Sequence, residues 1–311
     1  MLPFSIAIMV IVWLAGAPIT LASAAGLVLA LLTTLALRWV SNALQLIRVR
    51  SWAVSSVFAL LISATAQLHG WSVEMLGLGL IYMVHVTGLI YCLDMARPQV
   101  GVFISAVALA LMSMVEPLTL WLLVPMLLAM LFALRVLTGR TLTALFLGLL
   151  LPYEFRAAYF LHNHGATALI DFVSGGGLED VFIPAIGELW RAAVIPRSAA
   201  DWLPLIQPLG CGALLLFSLI ANIYFVLTSI DDKLVVRMQH FTLLLQWPVL
   251  TALLLVGMPQ SVGLIPCVAL SSAPLMGRYA VFSRGWGAEA VWWLLVLTLT
   301  FLCLCSFIFS A

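Results

Sequence analysis

The chain alternates long apolar blocks with short polar breaks. Runs dominated by Leu, Val, Ala and Ile continue for seventeen residues or more before Gly, Pro or charge interrupts them. That is the length a helix needs to cross about 30 Å of hydrocarbon. The breaks define about eleven segments: roughly 3–18, 20–38, 52–68, 73–93, 99–115, 117–134, 141–160, 204–229, 239–257, 260–277 and 287–309. The pattern predicts an all-α, polytopic integral membrane helical bundle of about eleven transmembrane helices, forming a single domain over 1–311. The first two segments, joined at Gly16-Ala17-Pro18, could instead form a re-entrant pair, which gives a range of 9–11.

The long break is 161–203, read as an outer loop. After His162-Asn163-His164-Gly165 it passes Ser174-Gly175-Gly176-Gly177 and reaches DVFIPAIGELWRAAVIP. There Phe182, Ile186, Leu189, Trp190 and Ala193 follow helical spacing, while Glu188 and Arg191 take other faces. This predicts an amphipathic helix lying in the membrane interface, with Trp190 at the headgroup level. The triplet Ala22-Ser23-Ala24 resembles a signal-peptidase site, but no basic stretch precedes it and apolarity continues to Leu37, so an uncleaved anchor is expected.

Composition supports the membrane reading. Apolar residues make up 65% of 311, against about 45–50% in soluble domains. Only 8% are charged, with a net charge of +1, and no basic run offers a clamp for nucleic acid. Cys92, Cys211, Cys267, Cys303 and Cys305 all lie in apolar segments, where they read as small apolar residues and not as a disulfide framework. Neither a metal nor another cofactor is called for by the spacing, and the lipid bilayer is the partner the composition demands.

The basic residues set the orientation. With the N-terminus cytoplasmic and eleven crossings, Arg38, Arg48, Arg50, Arg97, Arg135, Arg140, Lys233, Arg237, Arg278 and Arg284 face inward, ten of the thirteen Lys and Arg. Of the twelve acids, only Asp94, Asp231, Asp232 and Glu289 share that side. Asp231-Asp232-Lys233, Arg237 and Arg278 read as solvated inner-loop charge.

The remaining polar groups gather at the outer side. Glu154 and Arg156 interrupt LLPYEFRAAYF near the outer end of segment 141–160. Two residues apart, they diverge by about 200° on a helix, so each needs its own partner. Carboxylates at such depth mark candidate sites. Glu116 sits in the outer turn before Pro117, where a helix dipole favours it. Glu116 and Glu154 are the candidate catalytic acids or bases. Arg156, His162, His164, His69 and His85 are the candidate substrate-binding residues, and His85 is nearly central in 73–93, one turn after Tyr82. His162 and His164 share a side only on extended backbone. Asn222 and Tyr224 are further polar positions within a segment. No phosphate-binding loop, dinucleotide fingerprint, nucleophile elbow or zinc-protease motif is present.

Two resemblances extend this reading. SNALQLIRVRS (41–51), EPLTLWLLVPMLLAMLFALR (116–135), GLLLPYEFRAAYF (148–160), IDDKLVVRMQHFTLLLQW (230–247) and IPCVALSSAPLMGRYAVFSRGWGAEAVWWLLVL (265–297) resemble an uncharacterised family of inner-membrane proteins from Bacteroidota. That likeness covers most of the chain and implies a bacterial cytoplasmic membrane, without an activity. VFISAVALALMSMVEPLTLWLLVPMLLAMLFALR (102–135) is similar to the central hairpins of GT-C type multispanning glycosyltransferases. This second likeness implies chemistry on polyprenyl-phosphate-linked sugars at the outer face, with a catalytic acid in the first outer loop. Here that loop is AGAPIT, which has no acid, so the role is not carried over to any residue. Three functions follow as expectations: a lipid-linked-sugar enzyme using Glu116 or Glu154 as base and Arg156 on the donor phosphate, a non-catalytic subunit docking other inner-membrane components, or a transporter.

Overall fold

The computed structural model describes residues 2–16, 20–47, 51–66, 71–93, 97–174, 203–229, 232–257, 260–283 and most of 286–301, with the backbone alone over 163–174 and 203–211. Among these residues the chain is helical, with no strand. In order, the elements are α1 (Leu2–Gly16), α2 (Leu21–Ala43), α3 (Ala53–Ala64), α4 (Val73–Tyr91), α5 (Pro98–Val115), α6 (Leu123–Leu128), α7 (Gly139–Ser174), α8 (Leu203–Thr228), α9 (Leu234–Gly257) and α10 (Ile265–Phe282). Residues 292–298 are also helical.

Each of the eleven apolar segments contains helix. Five helices, Leu21–Ala43, Val73–Tyr91, Pro98–Val115, Leu234–Leu255 and Val262–Phe282, are long and apolar enough to cross a membrane. The predicted amphipathic helix and its Trp190 fall outside the described residues, as does His69.

The core of the bundle is the pair α3 and α10. Every residue from Val54 to Ala64 is buried, and α10 is buried from Ile265 to Tyr279. Both helices are rich in Ala and Ser, so neighbours can approach from several sides, as small residues permit between helices in lipid. α10 packs against α3, α8, α9 and α4. Hydroxyls of this core bond to the preceding turn: Ser63 donates to the Ala59 carbonyl at 2.7 Å, and Ser272 to Val268 at 2.6 Å. Such bonding to the preceding turn lets Ser and Thr enter a dry interior.

A second close-packed group is α4–α5–α7. A Cβ at Gly101 would stand 2.5 Å from the Gly88 carbonyl oxygen, so both helices depend on bare backbone where they cross. The α2 contact to the start of α4 is tighter still: a Cβ on Gly26 would lie 2.0 Å from the carbonyl oxygen of Trp71, a buried residue held at φ 56°. At its own start α2 is secured by a reciprocal cap between Thr20 and Ser23. The helix therefore begins at Leu21 and runs through the signal-peptidase-like triplet.

Two segments depart from the expected straight helices. Segment 117–134 is composite: a 3₁₀ stretch Pro117–Leu122, then α6, then a π turn Ala129–Ala133. Pro125 has no N–H to offer the preceding turn, which explains the break from regular α geometry there. The helix of segment 141–160 does not end at residue 160, where the loop was expected to start, but continues as α7 to Ser174. FRAAYFLHNHGATALIDFVS holds Ala and Leu and no proline, so helix propensity outlasts the apolar run. At 36 residues, α7 is about 54 Å long, well beyond the about 30 Å of a hydrocarbon core.

Candidate functional site

The polar residues sort into three places. At one end, α7 carries Glu154, Arg156 and His162, all exposed. Helical backbone sets Glu154 and Arg156 on divergent faces, as their spacing predicts, and does the same for positions 162 and 164. The side chain of His164 lies outside the described residues. Just before Glu154, the Tyr153 hydroxyl meets the Ser113 hydroxyl at 2.7 Å and ties α7 to α5.

Glu116 follows Ser113 by three residues and occupies the junction between α5 and the 3₁₀ stretch, in extended conformation. Its carbonyl accepts from the N–H and hydroxyl of Thr119 at 3.0 and 2.8 Å. The half-buried carboxyl approaches Gly263. Burial raises its pKa above the ordinary carboxylate value. Five cavities among the described residues are lined without Glu116 or Glu154.

The second place is the interior, around His85. Its Nδ1 lies 3.0 Å from the Ser105 carbonyl and 2.8 Å from the Ser105 hydroxyl, across α4 and α5. Its Nε2 lies 3.2 Å from the amide nitrogen of Gln246 on α9. The Tyr82 hydroxyl donates to the Gln246 amide oxygen at 2.6 Å. An amide nitrogen can only donate, so His85 Nε2 must accept, and the proton sits on Nδ1. The ring is therefore neutral. Donation then runs one way, from Tyr82 through Gln246 and His85 to Ser105, whose hydroxyl points at the Met126 sulfur 4.0 Å away on α6. All four linked residues are at most 0% exposed. Every polar atom of the Gln246 amide is used by another helix.

The third place lies near the opposite ends of α8, α9 and α10. Arg278 and Asp232 form an ion pair, and both side chains are under a tenth exposed. The guanidinium lies 5.3 Å from the Phe225 ring centroid and 5.6 Å from that of Phe282. Phe225 also stacks on His240, whose Nδ1 bonds the Val236 carbonyl at 2.9 Å. Gln239 donates to the Leu44 carbonyl at 3.3 Å, connecting α9 to the residues after α2. Arg278 and Asp232 were expected as solvated loop charge. Aromatic rings from α8 and α10 cover the pair instead, which linear sequence does not show. Among the described residues, the Asn222 amide and His240 Nε2 have no hydrogen-bond partner.

The sequence pointed to His85 and Tyr82 but not to Gln246, Ser105 or the Arg278–Asp232 pair. The available signal was a lone amide in LLLQWPVL, where an uncharged polar group inside an apolar run needs a partner on another helix. Comparison with family models, curated proteins and solved structures returns no match. No cluster of three or more His, Cys, Asp or Glu positioned for a metal occurs among the described residues.

Proposed function

We propose that the chain is a multi-pass protein of the bacterial cytoplasmic membrane that serves as a non-catalytic helical subunit, docking other membrane components. Its N-terminus is cytoplasmic and about eleven segments cross. The one-sided distribution of Lys and Arg supports this orientation, and the likeness to Bacteroidota membrane proteins supports the compartment. One observation carries the functional reading: four polar side chains at the centre of the bundle are engaged with one another, from Tyr82 through Gln246 and His85 to Ser105. A satisfied, directional network of this kind fixes one helix arrangement. It serves a rigid scaffold better than it serves a substrate path, which needs polar groups left open.

A second reading is favoured by Glu116. A half-buried carboxyl with a raised pKa is suited to act as a general base toward an acceptor hydroxyl. On that reading the protein is a GT-C-like enzyme acting on polyprenyl-phosphate-linked sugars at the outer face, with Arg156 on the donor phosphate.

Affinity capture of the tagged protein in mild detergent, with mass spectrometry of proteins and lipids, separates the two. A stoichiometric protein partner supports the subunit. A co-bound polyprenyl phosphate whose retention falls in Arg156→Gln supports the enzyme and overturns the subunit.

A further inference from the structure

A groove of about 630 Å³ opens between the π turn, the end of α8 and the start of α9. One part of its lining is cationic, from Arg135 and Arg237 with Ser229 beside them. The rest is apolar and includes Phe132, Val226, Phe241 and Leu245. Arg237 and Leu245 are two turns apart on α9, so the apolar wall runs about 12 Å along the helix from the cationic end. Phe132 is 66% exposed and Val226 49%, so the apolar wall has no cover from the described residues.

Among the described residues the charge is equally uncompensated. Neither arginine is in an ion pair among the described residues, and the adjacent Asp232 is engaged by Arg278. Lys233, exposed, adds positive charge next to the lining residue Leu234.

The backbone supplies an independent observation. The Leu134 N–H bonds the Ala129 carbonyl at 2.7 Å and the Val136 N–H bonds Met130 at 3.0 Å, closing the π turn. This geometry holds Arg135 at φ 55°. Glycine is the residue that ends a helix in this left-handed conformation without strain. An arginine there keeps a strained backbone in order to place its side chain, and strain of this kind marks functional positions.

We propose that this groove binds one anionic glycerophospholipid. Arg135 and Arg237 hold the phosphate, and an acyl chain lies along Phe132, Val226, Phe241 and Leu245. Basic pockets between membrane helices suit anionic headgroups, and an arginine fork matches phosphate oxygens. The inference uses the membrane placement proposed above but not the subunit role.

The test is thermal unfolding of the full chain in nonionic detergent with added phosphatidylglycerol, phosphatidylcholine of the same acyl chains, or inorganic phosphate. Phosphatidylglycerol is expected to raise the Tm and the other two are not. Arg135→Gly is expected to unfold at or above the wild-type Tm without lipid, because the strain is relieved, and to lose the phosphatidylglycerol shift. Arg237→Gln, on regular helix, is expected to lose it as well. Val226→Trp, which fills the groove and keeps both arginines, is expected to abolish it too. A full phosphatidylglycerol shift in the Arg135→Gly, Arg237→Gln double variant overturns the proposal. So does an equal shift with phosphatidylcholine, or one reproduced by inorganic phosphate alone.

Discussion

Gln246→Leu is the sharpest perturbation of the interior. Leucine is close in volume, so the packing of α9 against α4 is kept and the change isolates two hydrogen bonds. Lost are the 3.2 Å contact to His85 Nε2 and the 2.6 Å bond from the Tyr82 hydroxyl. Both partners are 0% exposed, so water cannot replace the amide. Leaving a buried polar group unpaired costs about 1–3 kcal/mol in soluble proteins. Interhelical bonds inside membrane proteins average nearer about 0.6 kcal/mol, with a maximum of about 1.7. Ser271 stands beside the Tyr82 hydroxyl and takes up part of that loss, whereas His85 Nε2 is left without the Gln246 amide that faces it. The expected destabilisation is therefore about 1–3 kcal/mol, dominated by His85. It would be measured by reversible unfolding in mixed micelles with increasing dodecyl sulfate. The cycle with Tyr82→Phe should show coupling of about 0.5–1 kcal/mol, since the double variant orphans no hydroxyl. A Gln246→Leu protein as stable as wild type, with no coupling to Tyr82, would refute the network as a structural hub.

Gly26→Ala must push a Cβ into the Trp71 carbonyl, 2.0 Å away, and should cost about 1–3 kcal/mol by the same unfolding assay. Gly77→Ala, with nothing within 4 Å of its Cβ, should be neutral or stabilising by up to about 1 kcal/mol. Asp232→Leu leaves Arg278 buried without its counter-charge and should cost about 3–5 kcal/mol, while Asp232→Leu with Arg278→Met should recover most of the loss. Glu116 has a raised folded-state pKa, so its contribution to stability is fully present below the unfolded value and is lost as pH rises through the folded one. Melting scans across pH should then show Glu116→Gln gaining on wild type as the medium moves from acidic to neutral; equal profiles would exclude a desolvated carboxyl.

Much of the fold was legible because lipid-exposed helices need only be apolar and long, and that signal is local. Segments 73–93 and 99–115 match α4 and α5 closely for this reason. The end of segment 141–160 was misjudged because His162-Asn163-His164-Gly165 was taken to open a loop, whereas it belongs to a helix that continues to Ser174. Charge reports the environment of a position and not its backbone conformation. The interior site was half legible. His85 stood out as an ionisable residue in mid-segment, but its partner Gln246 lies 161 positions away. Likewise, Arg278 looked like loop charge because the rings that cover it come partly from another helix. The left-handed backbone at Arg135 left no trace, since nothing in LFALRVLTG other than the π turn before it demands that conformation.

The proposed orientation puts His162 outside and Arg140 inside, two exposed positions about 33 Å apart along α7. Single cysteines at these positions, in a background lacking the five native cysteines and probed with a membrane-impermeant maleimide on intact cells, test this most directly. The prediction is that His162→Cys is labelled at once and Arg140→Cys only after the membrane is permeabilised. Labelling of Arg140→Cys in intact cells, with His162→Cys protected, would contradict it.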